Sequence, residues 1–150
     1  MVEGDQKLKA RDQVLKPIEA AASAIHSAWM ERNPKGDWNA SQHVPYDELS
    51  ESEKQKDRDQ VFVIFSLLAS ASYTSKQAIS DSFASLAHEQ WRKGLAASGH
   101  VGPRMKKAGD GSHVDINVPW TSLHPDWKKE NLAAGSAAYE AVRSAFGPSI

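Results

Sequence analysis

Cysteine is absent from these 150 residues. No disulfide and no thiolate metal ligand can therefore form. The lack of cysteine leaves the redox compartment open, and nothing in the chain argues for export. Charge of one sign is missing too: 18 Lys and Arg stand against 19 Asp and Glu, for a net charge of −1. So even a balance gives no electrostatic case for nucleic acid or an anionic membrane as partner. Long apolar runs are scarce. The strongest, residues 61–71, is too short and too mixed to span a bilayer. Met1 to Lys16 is charged and lacks the apolar centre of a signal peptide. A cytoplasmic protein is the expectation. Catalytic signatures are missing as well. There is no G-x-S-x-G elbow, no P-loop, no dinucleotide fingerprint, and no His and acid pair whose spacing demands acid–base work. His43, His100, His113 and His124 match no metal-ligand spacing. No catalytic residue, metal or cofactor is expected, and the chain reads as a protein that is not an enzyme.

What the chain does have is an internal repeat. His26-Ser27-Ala28-Trp29 is echoed by His88-Glu89-Gln90-Trp91, a step of 62 positions. Val44-Pro45-Tyr46-Asp47-Glu48-Leu49 is echoed by Val118-Pro119-Trp120-Thr121-Ser122-Leu123, a step of 74. Self-similarity of this kind sets the structural unit. It divides the chain into a polar segment 1–16, a first copy 17–74 and a second copy 75–147 that together form one module. A seam between two such halves is a natural place for a ligand.

Each copy reads as helix, long irregular connection, helix. Residues 1–16 are either a frayed helix or a tail. From Pro17, Ile18, Ala21, Ala22, Ile25 and Trp29 follow helical spacing. Asn33-Pro34 ends that helix. Ser50-Glu51-Ser52-Glu53 is a capping box for a second helix whose apolar face is Val61, Ile64, Phe65 and Leu68, widened by Phe62. In the second copy Ser75 or Ser80 caps a helix carrying Ile79, Phe83, Leu86, Trp91 and Leu95. Pro125 opens a last helix that Gly147-Pro148 stops. Short strands are expected at residues 113–118 and near His43. The fold class is mainly α, with a few short strands. The second connection is the longer: Trp91 to Val118 is 27 positions, against 15 for Trp29 to Val44. Its extra residues hold Gly99, Gly102, Gly109 and Gly111 with Arg104, Lys106, Lys107 and Asp110. A loop of that length is uncommon in a compact domain and is often functional.

Ile25-His26-x-x-Trp29, Trp38, His43-Val44-Pro45-Tyr46, Leu49, Glu53-Lys54 and Asp57-Arg58 together resemble the ryanodine-receptor repeat, or RyR domain. The second copy is more degraded. It keeps His88, Trp91, Val118-Pro119-Trp120, Leu123 and Lys128, has Gly99-His100 where the family has its loop Gly-Trp, and places Asn131 where Asp57 stands in the first. Gly102, Arg104 and His113 are similar to further family elements. The resemblance covers roughly residues 17–146 and is that of a stand-alone tandem-repeat member of bacterial or phage type. It implies two pseudo-symmetric helix–loop–helix repeats packed as one compact module. It also implies a nucleotide-type ligand, adenine-containing in the channel, held between the repeats.

Trp29 and Trp91 sit on apolar helical faces and read as core. His26 and His88, one turn earlier, read as ties from helix to loop backbone. Glu53, Lys54, Asp57 and Arg58 read as helix-surface pairs of small value. Trp38 differs, because it stands in a polar loop away from any apolar stripe, where it either packs or stacks on a planar ligand. His100 can stack and hydrogen-bond. Arg104 offers a fork for phosphate in a glycine-rich loop. Trp38, His43, His100, Arg104 and His113 are the candidate ligand-binding residues. The expected function is a non-catalytic sensor or sequestering protein for a nucleotide or nucleotide-derived signal, acting as a monomer or homodimer. The alternatives are a protein–protein interaction module using the same loops and, last, a nucleotide hydrolase.

Overall fold

The computed structural model describes residues 2–70 and 75–147, with side chains from residue 15 onward. Helix makes up 68% of the chain, so the architecture is mainly α. Among the described residues there are four α-helices, two short strands and two 3₁₀ turns. The chain divides into two compact units. One is Met1–Tyr73 with Ala137–Ile150, and the other is Thr74–Ser136. The junction between the two sequence copies, after residue 74, lies outside the described residues, as do Met1 and Pro148.

In the first unit, α1 runs over Val2–Arg32 with Pro17 inside it rather than at its start. Proline removes one helical hydrogen bond. The Lys-, Ala-, Arg-, Gln- and Leu-rich stretch before it favours helix and carries the element through. Ile18, Ala21, Ala22 and Ile25 are buried, as their spacing predicts. At the C-terminus, the backbone N–H and the side-chain amide of Asn33 both donate to Trp29 O at 2.9 Å, and Pro34 forbids another turn. Helix α2, Glu51–Ala69, is capped by Ser50, whose Oγ accepts from Glu53 N–H at 3.3 Å. The reciprocal half of the expected capping box is not made, because the Glu53 carboxylate is taken by Gln42 and Lys56. Val61, Ile64 and Leu67 are buried, whereas Phe62 is exposed instead of widening the face. Phe65 packs edge-to-face on Phe146 of the last helix, ring centres 4.7 Å apart. No strand forms near His43. Fully buried Asn39 closes a turn there, accepting from Gly36 N–H at 2.7 Å and donating to Pro34 O at 3.2 Å.

In the second unit, α3 spans Lys76–Ala97 and Ser75 is its cap, accepting from Ala78 N–H at 3.1 Å. Ser80 is buried instead, its hydroxyl 3.3 Å from that of Ser136. Helix α4, Pro125–Phe146, begins at its proline as expected, with His124 Nδ1 accepting from Asp126 N–H at 3.1 Å. Its residues to Ser136 belong to this unit and the rest to the first. Gly135 lets α4 lie close to α3: a Cβ there would meet Ser80 O at 2.7 Å. The extra residues of the longer connection form an antiparallel ribbon of β1, Met105–Lys107, and β2, His113–Asp115. The turn between them uses Gly111 at φ 89°. Buried Ala108 and Ile116 anchor the two ends of the ribbon.

The sequence repeat is a repeat of local geometry. His26 Nε2 donates to Val44 O at 2.7 Å, and His88 Nε2 donates to Val118 O at 2.7 Å. Each histidine stacks on its tryptophan, at 5.8 Å for Trp29 and 5.7 Å for Trp91. Each Val-Pro leads into a 3₁₀ turn, Tyr46–Glu48 or Trp120–Ser122. Lys54 lies over Tyr46 at 5.6 Å and Lys128 over Trp120 at 5.5 Å. A buried leucine, Leu49 or Leu123, closes each corner.

Candidate functional site

Each unit has a cleft against its His-Trp pair, lined by residues at equivalent positions of the repeat. His26, Trp29, Gln42, Glu53 and Asp57 line the first. His88, Trp91, Ile116, Trp127 and Asn131 line the second. The second is the larger, about 370 Å³ against about 210 Å³. It alone falls within the roughly 300–1,000 Å³ of small-molecule sites.

The walls of the second cleft come from three elements. Helix α3 presents His88 and, three residues on, Trp91, which is 37% exposed for so large a side chain. Helix α4 presents Trp127 and Asn131, four residues apart and so on one face. The ribbon adds Arg104 and Lys106. Residues two apart on a strand share a face, which aligns these two cations. The backbone at Arg104 is pinned: its N–H donates to Asp115 Oδ1 at 2.9 Å and its carbonyl accepts from Ile116 N–H at 2.9 Å. Asp115 spends the same oxygen on Asn117 N–H at 2.9 Å, so the ribbon's acid serves backbone donors and not the cations. Among the described residues neither the Arg104 guanidinium nor the Lys106 ammonium has a partner, and the Asn131 amide has none either.

The first cleft is closed on itself. Lys56 Nζ donates to Glu53 Oε1 at 3.0 Å and Gln42 donates to Glu53 Oε2 at 3.4 Å. His26 Nδ1 stands 3.7 Å from Asp57 Oδ2. Asp57 is only 9% exposed, so it is not the surface residue its neighbours suggest. Burial pushes its carboxyl up to about 6, with His26 and Lys56 opposing the shift and Glu53 adding to it. Arg58 is not an idle surface charge either. Its Nε donates to Glu19 at 2.6 Å and its Nη1 to Glu51 at 3.1 Å. The Tyr46 hydroxyl also donates to Glu19, at 2.6 Å. Burial disfavours the Glu19 carboxylate, yet these two donors hold its pKa below the usual range.

Of the five residues predicted to bind ligand, Trp38 and His43 meet on Trp29 in the first unit, and His100, Arg104 and His113 belong to the second. Trp38 is 72% exposed, its ring edge-on to Trp29 with centres 6.4 Å apart. His43 stands on the same tryptophan at 6.2 Å, with Nε2 donating to Asn33 O at 3.1 Å. His100 turns back on its own loop, Nε2 to Pro103 O at 3.3 Å. His113 is exposed on β2 opposite Lys107. Of the five, only Arg104 lines the second cleft. Trp127 and Asn131 were not among the predicted site residues. Their i, i+4 spacing on the last helix was the available signal, together with the alignment of Asn131 with Asp57. Asp57 itself continues the buried stripe of Val61 and Ile64 by one turn. Among the described residues no group of three or more His, Asp or Glu side chains is placed to hold a metal, and no helix is long and apolar enough to cross a membrane. No protein-family model, no curated protein and no solved structure matches this chain.

Proposed function

We propose that this chain is a non-catalytic binding protein of RyR-repeat type that holds a nucleotide or nucleotide-derived signalling molecule, as a sensor or by sequestration. One observation carries the reading: two cations without counter-ions, Arg104 and Lys106, converge on a cleft walled by Trp91 and Trp127. A planar ring stacked on indole gains about 1–3 kcal/mol. A phosphate meeting a guanidinium fork and an ammonium gains charge-assisted hydrogen bonds, which are the strong ones. A nucleotide joins those two parts in one small molecule. Among the described residues the cleft wall holds no carboxylate and no hydroxyl, and His88 has committed Nε2 to a carbonyl, which supports holding over turnover. The RyR resemblance implies a ligand between repeats. The unpaired cations draw the reading to the cleft of the second unit instead.

Thermal-shift and calorimetric titration against nucleoside mono- and diphosphates, ADP-ribose and cyclic nucleotides tests this. A ligand at 100 times its Kd stabilises by about 2.7 kcal/mol. Replacing Arg104 and Lys106 together by alanine is expected to weaken binding by at least about 100-fold, since each charge-assisted bond contributes about 1.5–3 kcal/mol. A panel that shifts no melt, or a double variant that binds as before, sinks the reading. Trp38, at 72% exposure, favours a second one, an anchor for a partner protein. A stoichiometric partner lost on Trp38→Ala, with no nucleotide bound, would select it.

A further inference from the structure

We propose that Asn131 is the specificity-determining residue of the second cleft and reads the hydrogen-bonding edge of a neutral heterocyclic base. This rests on the nucleotide reading of the same cleft. Three observations lead to it. First, the Asn131 side chain is half-buried in the cleft wall and has no hydrogen-bond partner among the described residues. Among the described residues no fully buried side-chain N or O lacks a hydrogen-bond partner, so the open amide is within reach of solvent and equally of a ligand. Second, it lies one helical turn beyond Trp127 on α4, so a ring stacked on that indole has its edge beside the amide. Third, the cations that would take a phosphate come from the ribbon, a different wall. The ligand is thereby oriented, with its anionic end toward Arg104 and Lys106 and its ring edge toward α4.

An asparagine amide offers one acceptor and two donors on a flat group. Nucleobase edges carry a neighbouring donor and acceptor, and paired amide contacts of this kind are how Asn reads a base. The equivalent residue of the other unit, Asp57, is a carboxylate, which when ionised accepts only and repels a phosphate ester. The neutral amide at 131 leaves the cleft free of negative charge.

The test is calorimetry with two probes, a nucleoside diphosphate panel (ADP, GDP, UDP) and inorganic pyrophosphate, on wild type, Asn131→Ala, Asn131→Leu and Arg104→Ala. Alanine and leucine are better helix formers than asparagine, and leucine keeps the volume, so folding is retained. Melting curves verify this. Both Asn131 variants should lose about tenfold in affinity for at least one nucleoside diphosphate, as expected for one paired amide contact, and nothing for pyrophosphate. Arg104→Ala should weaken both probes. If the Asn131 variants bind every nucleoside diphosphate as wild type does, or lose both probes equally, Asn131 does not read the base, and the nucleotide reading stands without it. If wild type binds neither these diphosphates nor any nucleoside monophosphate, ADP-ribose or cyclic nucleotide, both proposals fall.

Discussion

In the first unit, Lys56 grips Glu53 and His26 faces Asp57. In the second, Arg104 and Lys106 grip nothing among the described residues. Both clefts are built on the same framework: a histidine bonded to a valine carbonyl, a tryptophan stacked on it, and a capped helix closing the far side. The difference lies in three exchanges and one insertion. Gln42, Glu53 and Asp57 give way to Ile116, Trp127 and Asn131, which removes two acids and adds an indole. The insertion then delivers two cations. A duplicated scaffold can keep one copy satisfied for stability and leave the other unsatisfied for a ligand.

The strongest way to break this contrast is to remove the shared histidine. His88→Ala leaves the Val118 carbonyl without its donor and is expected to cost about 2 kcal/mol. His26→Ala does the same to Val44 and also removes the ring that faces the buried Asp57 carboxyl, so about 3 kcal/mol is expected at neutral pH. Urea unfolding of the two variants measures the gap. Equal losses would mean that the acid beside His26 adds nothing.

Next in size is the pH dependence that belongs to the first unit. The folded-state pKa of Asp57 is raised, from 3.8 to about 6. The folded protein therefore binds that proton more tightly than the unfolded chain does. Stability is greatest below about pH 4 on this account and falls as pH rises toward 6, by at most about 3 kcal/mol. Asp57→Asn copies the second unit and should abolish that slope, making the variant the more stable protein at pH 7 and no more stable at pH 4. Thermal melts across pH 4–7 read it directly; parallel curves for variant and wild type would refute the burial argument.

The smallest effect is expected at Trp38. Exposed as it is, Trp38→Ala should change stability by no more than about 0.5 kcal/mol. Under the nucleotide reading it should leave ligand affinity unchanged as well. A large loss of affinity would return the loop tryptophan to the site and weaken the case for the second cleft.

Much of the scaffold was legible in the residues. Pro34, Ser50, Ser75 and Pro125 mark helix ends because capping and proline sterics act over three or four residues. That His26 ties its helix to loop backbone followed from a histidine on an apolar face next to a loop; that the partner is Val44 did not. Less was legible in the site. Trp38 and His100 draw attention as loop residues, yet Trp38 edges onto Trp29 and His100 closes its own turn. Asp57 passes for a surface charge because Lys54, Lys56 and Arg58 surround it in sequence, while the helical period turns it inward.

By itself the sequence determined the duplicated scaffold: four helices, though not where the first begins, and a longer second connection. Those are local matters of propensity, capping and period, settled within a few residues. Only the tertiary structure decided which groups lack partners. Asp115 could have neutralised Arg104 and instead serves two backbone N–H groups. Trp127 and Asn131 join a cleft with residues more than twenty positions away, because α3, α4 and the ribbon wall it together. Whether a cation is free is a property of three-dimensional neighbours, and no spacing along a chain encodes it.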